Sequence, residues 1–195
     1  MKKLIAMLFS ALTLSGCVNM EHIQGQLNKL DVVYRQENEK LIASLGTRYY
    51  KLDKEQAQSA MLLALANLEM SIESQDSKTG FINARGTMPR PLSKDEFDRA
   101  WAIEKPRAKE ISGLDLSLTG QSDVIINTFI IQRENDLQIN LRFRTKYTGN
   151  TYGLVISDQA PPEAVKIGYP KIWNEFERVA FVQGRVIYGG DPEKK

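Results

Sequence analysis

The side chains that carry most nucleophilic and metal chemistry are scarce in this 195-residue sequence, which has one cysteine, Cys17, and one histidine, His22. Both lie close to the N-terminus. That leaves no Ser-His-Asp or Cys-His machinery and no zinc site drawing on His or Cys. Asp95, Glu96 and Asp98 cluster, and paired carboxylates can share general acid–base work. They belong, however, to Ser93-Lys94-Asp95-Glu96, a capping box, and the helix dipole favours carboxylates in a first turn. Ser93 and Lys94 are no Ser-Lys dyad, because adjacent helical residues do not face each other. Thr148-Gly149-Asn150-Thr151-Tyr152-Gly153 has the composition of a binding loop, but no capped helix follows it directly, as a phosphate cradle requires. The expectation is a chain with no catalytic residue, metal site or cofactor, and not an enzyme.

Two further sets could bind rather than react. Arg142, Arg144 and Lys146 alternate along one strand as a basic stripe, which Arg133 or Arg85 would extend. Such a stripe suits anionic lipid headgroups, cell-wall glycan or an acidic partner. It equally suits a solvated sheet face balanced by acids such as Glu73. Tyr49, Tyr50, Trp101 and Trp173 could line a groove for a peptide or lipid, although aromatics at helical or strand spacing more often fill a core.

The first residues, MKKLIAMLFSALTLSGC, place Lys2 and Lys3 before an uncharged, mostly apolar run from Leu4 to Leu14. That run is too short to span a bilayer, which needs about 20 apolar residues. A short apolar run behind two lysines is the secretory pattern. It ends in Leu14-Ser15-Gly16-Cys17, which resembles the bacterial lipobox. The resemblance implies cleavage between Gly16 and Cys17, a diacylglycerol on the Cys17 thiol and acylation of the new N-terminus. Two or more acyl chains anchor stably where one does not, at roughly 0.8 kcal/mol per buried methylene. Val18 is not the Asp that resembles an inner-membrane retention signal, so the expected address is the outer membrane, facing the periplasm.

Removal of the leader changes the charge. The whole chain has a formal net charge of +2, but without Lys2 and Lys3 the basic and acidic residues balance at 24 each. A nucleic-acid partner gains no support from that balance. With Cys17 the sole cysteine there is no intrachain disulfide, and a chain of this size can bury its own core without one.

These groups must be positioned by an α+β fold. Ile23, Leu27, Leu30, Tyr34 and Leu41 are spaced as one helical stripe, interrupted at Glu37 and Ser44, and predict a partly helical tether or a partner-docking helix. Arg48 to Leu52 reads as a strand, Asp53 as an N-cap, and Ala57, Ala60, Met61, Ala64, Leu65 and Leu68 as one helical face. Met70 to Ser74 and Phe81 to Thr87 flank turn residues Asp76 to Gly80, with Ile82 and Ala84 inward. A helix opens at Ser93, with Pro106 just beyond it. Leu114, Leu116 and Leu118 suggest a short strand, and Val124 to Gln132 is a clear one. Leu137 to Tyr147 alternates strictly, as in an antiparallel sheet covered on one side. Tyr152 to Ser157 could be another strand. Pro161, Pro162, Gly168 and Pro170 predict a loop or broken helix, with a helix from Pro170 stopped by Gly184.

That order of elements, with "MSIESQDSKTGFINA" and a closing helix carrying Trp173 and Phe176, resembles the BamC-like (NlpB) lipoprotein domains. The resemblance implies an antiparallel sheet packed against helices on one face, and an accessory role in outer-membrane β-barrel assembly. This chain has one such region where BamC has two, and a shorter tether. The expected organisation is a signal peptide over 1–16, a lipidated tether over 17–46, one α+β domain over 47–184 and a loose tail over 185–195. The expected role is a membrane-anchored accessory protein that binds another envelope protein. The alternative is a module binding lipid or cell-wall glycan.

Overall fold

The computed structural model describes residues 20–116, 122–147 and 158–182. Residues 1–19 with Cys17, the loop and possible strand expected over 148–157, Leu118 and the segment after 182 lie outside the described residues. The order of elements is α1 (Met20–Ser44), β1 (Thr47–Tyr50), α2 (Lys54–Asn67), β2 (Ser71–Asp76), β3 (Phe81–Thr87), α3 (Lys94–Ser112), β4 (Ser122–Gln132), β5 (Leu137–Tyr147) and α4 (Pro162–Val182). The five strands form one antiparallel sheet in the order β1-β5-β4-β3-β2. This is the α+β class that the alternating strand pattern implies.

Burial follows the period of two. Ile82 and Ala84 of β3, Ile126 and Ile130 of β4, and Leu137, Ile139 and Leu141 of β5 are fully buried on one face. They meet Ala57, Met61, Ala64 and Leu65 of α2 and Ile172, Trp173 and Phe176 of α4 in a single cluster. The helices therefore cover one side of the sheet and leave the other open. Asp53 accepts from the Gln56 amide at 2.7 Å and starts α2. The Asp76 to Gly80 turn closes on a Gly80 N–H to Asp76 C=O bond of 2.8 Å. Gly80 has φ +76°, and a Cβ there would collide with the Ile130 carbonyl, so the turn requires glycine.

Two helices depart from the sequence expectation. The third runs through Pro106 to Gly113, which caps it at φ 69°. The fourth begins at Pro162, well before Pro170, and passes through both Gly168 and Pro170. Pro162 sits at the first helical position, where its missing N–H has no partner to lose. Pro106 and Pro170 are both exposed, so the carbonyls that lose a donor lie on the solvent side of their helices. Gly168 is no breaker: a Cβ there would stand 2.7 Å from Cζ of Phe143, so glycine lets α4 settle onto the sheet. Ile111 and Ser112 lie in the last turn of α3, just before Leu114.

The segment expected as a tether carries α1, which lies against the helical layer. Leu27, Leu30 and Tyr34 are buried, and Leu30 and Tyr34 form a small second core with Ala108, flanked by Ile111 and Leu116. Buried Asn38 continues the stripe by donating Nδ2 to the Ala160 carbonyl at 2.9 Å. Glu37 pairs with Arg107, whose Nη1 also donates to Glu104 at 3.1 Å. Glu104 is 0% exposed and accepts the Glu163 N–H at 3.2 Å, so a side chain of α3 caps the first turn of α4. Burial, reinforced by the Glu104 charge, raises the Tyr34 phenol far above its ordinary range. Further along, Trp173 Nε1 donates to the Leu45 carbonyl at 2.7 Å.

Candidate functional site

The uncovered face of the sheet brings together side chains from all five strands in cross-strand rows. Strand register places Tyr49, Gln138 and Ile131 in one row, and Thr47, Asn140, Phe129, Phe81 and Asp76 in the next. Arg142, Asn127, Asn83 and Ser74 follow, then Arg144, Ile125 and Arg85, and last Lys146, Asp123 and Thr87. Composition thus changes along the strands from apolar through amide to charged.

At the apolar end Phe129 and Ile131 keep 37% and 38% of their surface exposed. The rings of Phe81 and Phe129 lie 5.3 Å apart, a contact distance for tilted aromatics. In the middle Asn83 donates to Asn127 at 3.1 Å, while the buried Asn83 Oδ1 has no partner among the described residues. Thr47 Oγ1 and Gln138 Nε2 both reach Asn140 Oδ1, at 2.9 and 3.0 Å.

The charged end divides into paired and unpaired cations. Arg85 is held between Asp123 and Glu73, and those hydrogen bonds raise its pKa further. Arg144 pairs with Asp158. Partial burial pushes the Asp158 carboxyl up, but the Arg144 guanidinium outweighs it and holds the group below its usual value. Arg142 and Lys146 are exposed and have no salt-bridge partner among the described residues. The expected stripe of Arg142, Arg144 and Lys146 is therefore assembled on one face. The acids balance Arg144 and Arg85 and leave Arg142 and Lys146 open.

A cleft of about 960 Å³ adjoins this end, between the β2–β3 hairpin, the Pro89 turn and the start of α3. Its cations are internally matched: Arg90 with Glu69, Lys94 with Asp98, and Arg85 as above. The carboxylates near Ser93 have structural work. Glu96 completes the capping box and pairs with Lys171, which lowers its pKa despite partial burial. Among the described residues no three His, Cys, Asp or Glu side chains are grouped to hold a metal ion.

Of the four aromatics expected to line a groove or fill the core, Tyr50 and Trp173 are fully buried and Tyr50 donates to Glu177 at 2.8 Å. Tyr49 lies on the open face and Trp101 on α3, both half-buried. The sequence reading missed Phe81, Phe129 and Ile131. The signal was the near-continuous apolar run of β4, Val124-Ile125-Ile126-Asn127-Thr128-Phe129-Ile130-Ile131, which exceeds what a one-sided strand requires. No protein-family model matches this chain, and no curated protein matches it.

Proposed function

We propose that this chain is a lipid-anchored periplasmic accessory protein of the bacterial envelope that binds another envelope protein through the open face of its sheet. The observation that carries this reading is the pairing, on one uncovered face, of exposed Phe129 and Ile131 with exposed Arg142 and Lys146, which have no salt-bridge partner among the described residues. Apolar residues exposed together on a face that also carries charge suit a protein interface. The lipobox-like Leu14-Ser15-Gly16-Cys17 supports the anchor, and Val18 the outer membrane. The resemblance to BamC-like domains makes outer-membrane assembly the first pathway to examine. Anchoring makes a weak interface effective, because partners confined to one membrane meet at raised effective concentration.

The test is photo-crosslinking in living cells, with a benzophenone amino acid at Asn127 or Arg142 and a control probe at Gln36 on the outer side of α1. A discrete protein adduct from the sheet probes, with that from Asn127 lost in the Arg142→Glu/Lys146→Glu variant, is the expected result. A second reading, a glycan-binding module, rests on the Phe129 ring beside the Asn83 and Asn127 amides, an arrangement that can stack and hydrogen-bond a sugar. Adducts with glycan alone would replace the first reading with the second.

A further inference from the structure

We infer that α1 is a rigid stand-off, which holds the basic sheet face away from the bilayer and commits it to an acidic protein segment instead of lipid headgroups. This rests on the proposed lipidation of Cys17. Three residue steps separate Cys17 from Met20, a reach of at most about 11 Å. The start of α1 is therefore held near the membrane surface. Its apolar stripe is spent on the body of the protein, and the Glu37–Arg107–Glu104 cluster and the Asn38–Ala160 bond fix its path.

The path determines which end of the sheet faces the membrane. At its C-terminal end α1 leads into Thr47, which is level with Asn140, near the start of β5. At Asn38 it passes Ala160, just beyond Asp158, whose carbonyl accepts the Thr145 N–H at 2.8 Å. Asn38 is thus level with the Arg144–Lys146 end of the sheet. From there to Met20 the helix rises about 27 Å at 1.5 Å per residue. An upright α1 puts Arg144 and Lys146 some three Debye lengths above the headgroups, since that length is about 8 Å at physiological ionic strength.

The alternative posture, α1 flat on the bilayer, is opposed by its outer face. A helix lying in the interface presents an apolar side to the lipid. The outward residues of α1 include Glu21, Asn28, Lys29, Arg35, Glu39 and Lys40, and beyond Met20 its only exposed large apolar residue is Val32. The partner that fits the raised face presents carboxylates to Arg142 and Lys146 and an apolar side chain to Phe129, with Arg142 two residues along β5 from the Phe129 row. A second copy fits poorly, because like charges would meet across the contact.

The experiment uses the full-length lipidated protein in phosphatidylethanolamine–phosphatidylglycerol vesicles. A lipidated Cys17 thiol does not react with maleimide, so Ser74→Cys on the open-face side, or Glu21→Cys at the start of α1, supplies the one free thiol for a donor fluorophore. Energy transfer to lipid-borne acceptors should be several-fold lower from position 74 than from position 21, and insensitive to the phosphatidylglycerol fraction. A flexible Gly-Ser insertion between Asn19 and Met20, outside the folded body, should raise transfer at position 74 and weaken the crosslink from Asn127. Equal transfer from both positions, or no effect of the insertion on either readout, would overturn the stand-off. Intact mass and flotation report lipidation separately, so an unmodified Cys17 would refute the anchor and not the geometry of α1.

Discussion

A carboxylate with no exposed surface normally marks either catalysis or a structural joint, and Glu104 is the second kind. Its two oxygens are divided between Arg107 and the first turn of α4. Glu104→Ala removes both acceptors and is expected to cost about 2–3 kcal/mol in chemical denaturation, as for hydrogen bonds to charged groups. Glu104→Gln retains an acceptor for the Glu163 N–H and should lose roughly half as much. A loss from the alanine variant under about 0.5 kcal/mol, the range of ordinary surface changes, would show that the joint contributes nothing. At the same scale the sequence was legible where one residue had one function: Ser93 and Glu96 form the expected box, with Ser93 N–H donating to Glu96 at 2.7 Å and Ser93 Oγ accepting at 3.2 Å. It was opaque at Glu104, because the partner that explains its burial lies 59 residues away.

At the level of elements, the strands and the starts of α2 and α3 were readable, while the end of α3 and the start of α4 were not. Strict alternation in Leu137–Tyr147 needs only local information, and the structure reproduces it residue by residue. Gly168 and Pro170 are local stop signals overruled by tertiary packing. Gly168→Ala tests this with opposed terms: helix propensity favours alanine by about 1 kcal/mol, while a Cβ pressed to 2.7 Å from Phe143 works against it. Overpacking of this kind costs about 1–3 kcal/mol, so the variant should be less stable or neutral, and a clear rise in melting temperature would refute the tight seat. The Glu96–Lys171 tie between α3 and α4 gives a pH prediction. Lys171, followed by the Ser93 bonds, lowers the Glu96 pKa in the folded state. The contribution is present above the usual carboxylate range and is lost as pH falls through the lowered pKa. Lys171→Met should therefore flatten the acid side of the stability–pH curve while changing neutral stability by under about 1 kcal/mol. An unchanged acid slope would contradict it.

Over the whole molecule, the candidate site depends on what is left uncovered, and that is the property a single sequence conveys least. The basic stripe was visible because Arg142, Arg144 and Lys146 share one strand; the apolar half of the face required strand order to bring Phe81 beside Phe129. Arg142→Glu/Lys146→Glu should leave the melting temperature within about a degree or two of the parent, as for surface changes of up to about 0.5 kcal/mol, while abolishing the partner adduct. A large drop in stability would mean that the two cations support the fold. The placement of β1 has a consequence for biosynthesis. Its partner strand lies far downstream, with Thr47 and Asn140 separated by 93 residues, and the α4 surface that receives α1 and α2 comes last of all. A polypeptide emerging N-terminus first cannot seat β1 or α1 early, and such non-local pairing is slow. The topology thus lets the β2–β3 and β4–β5 pairs close locally but leaves β1 and α1 unseated until β5 and α4 exist.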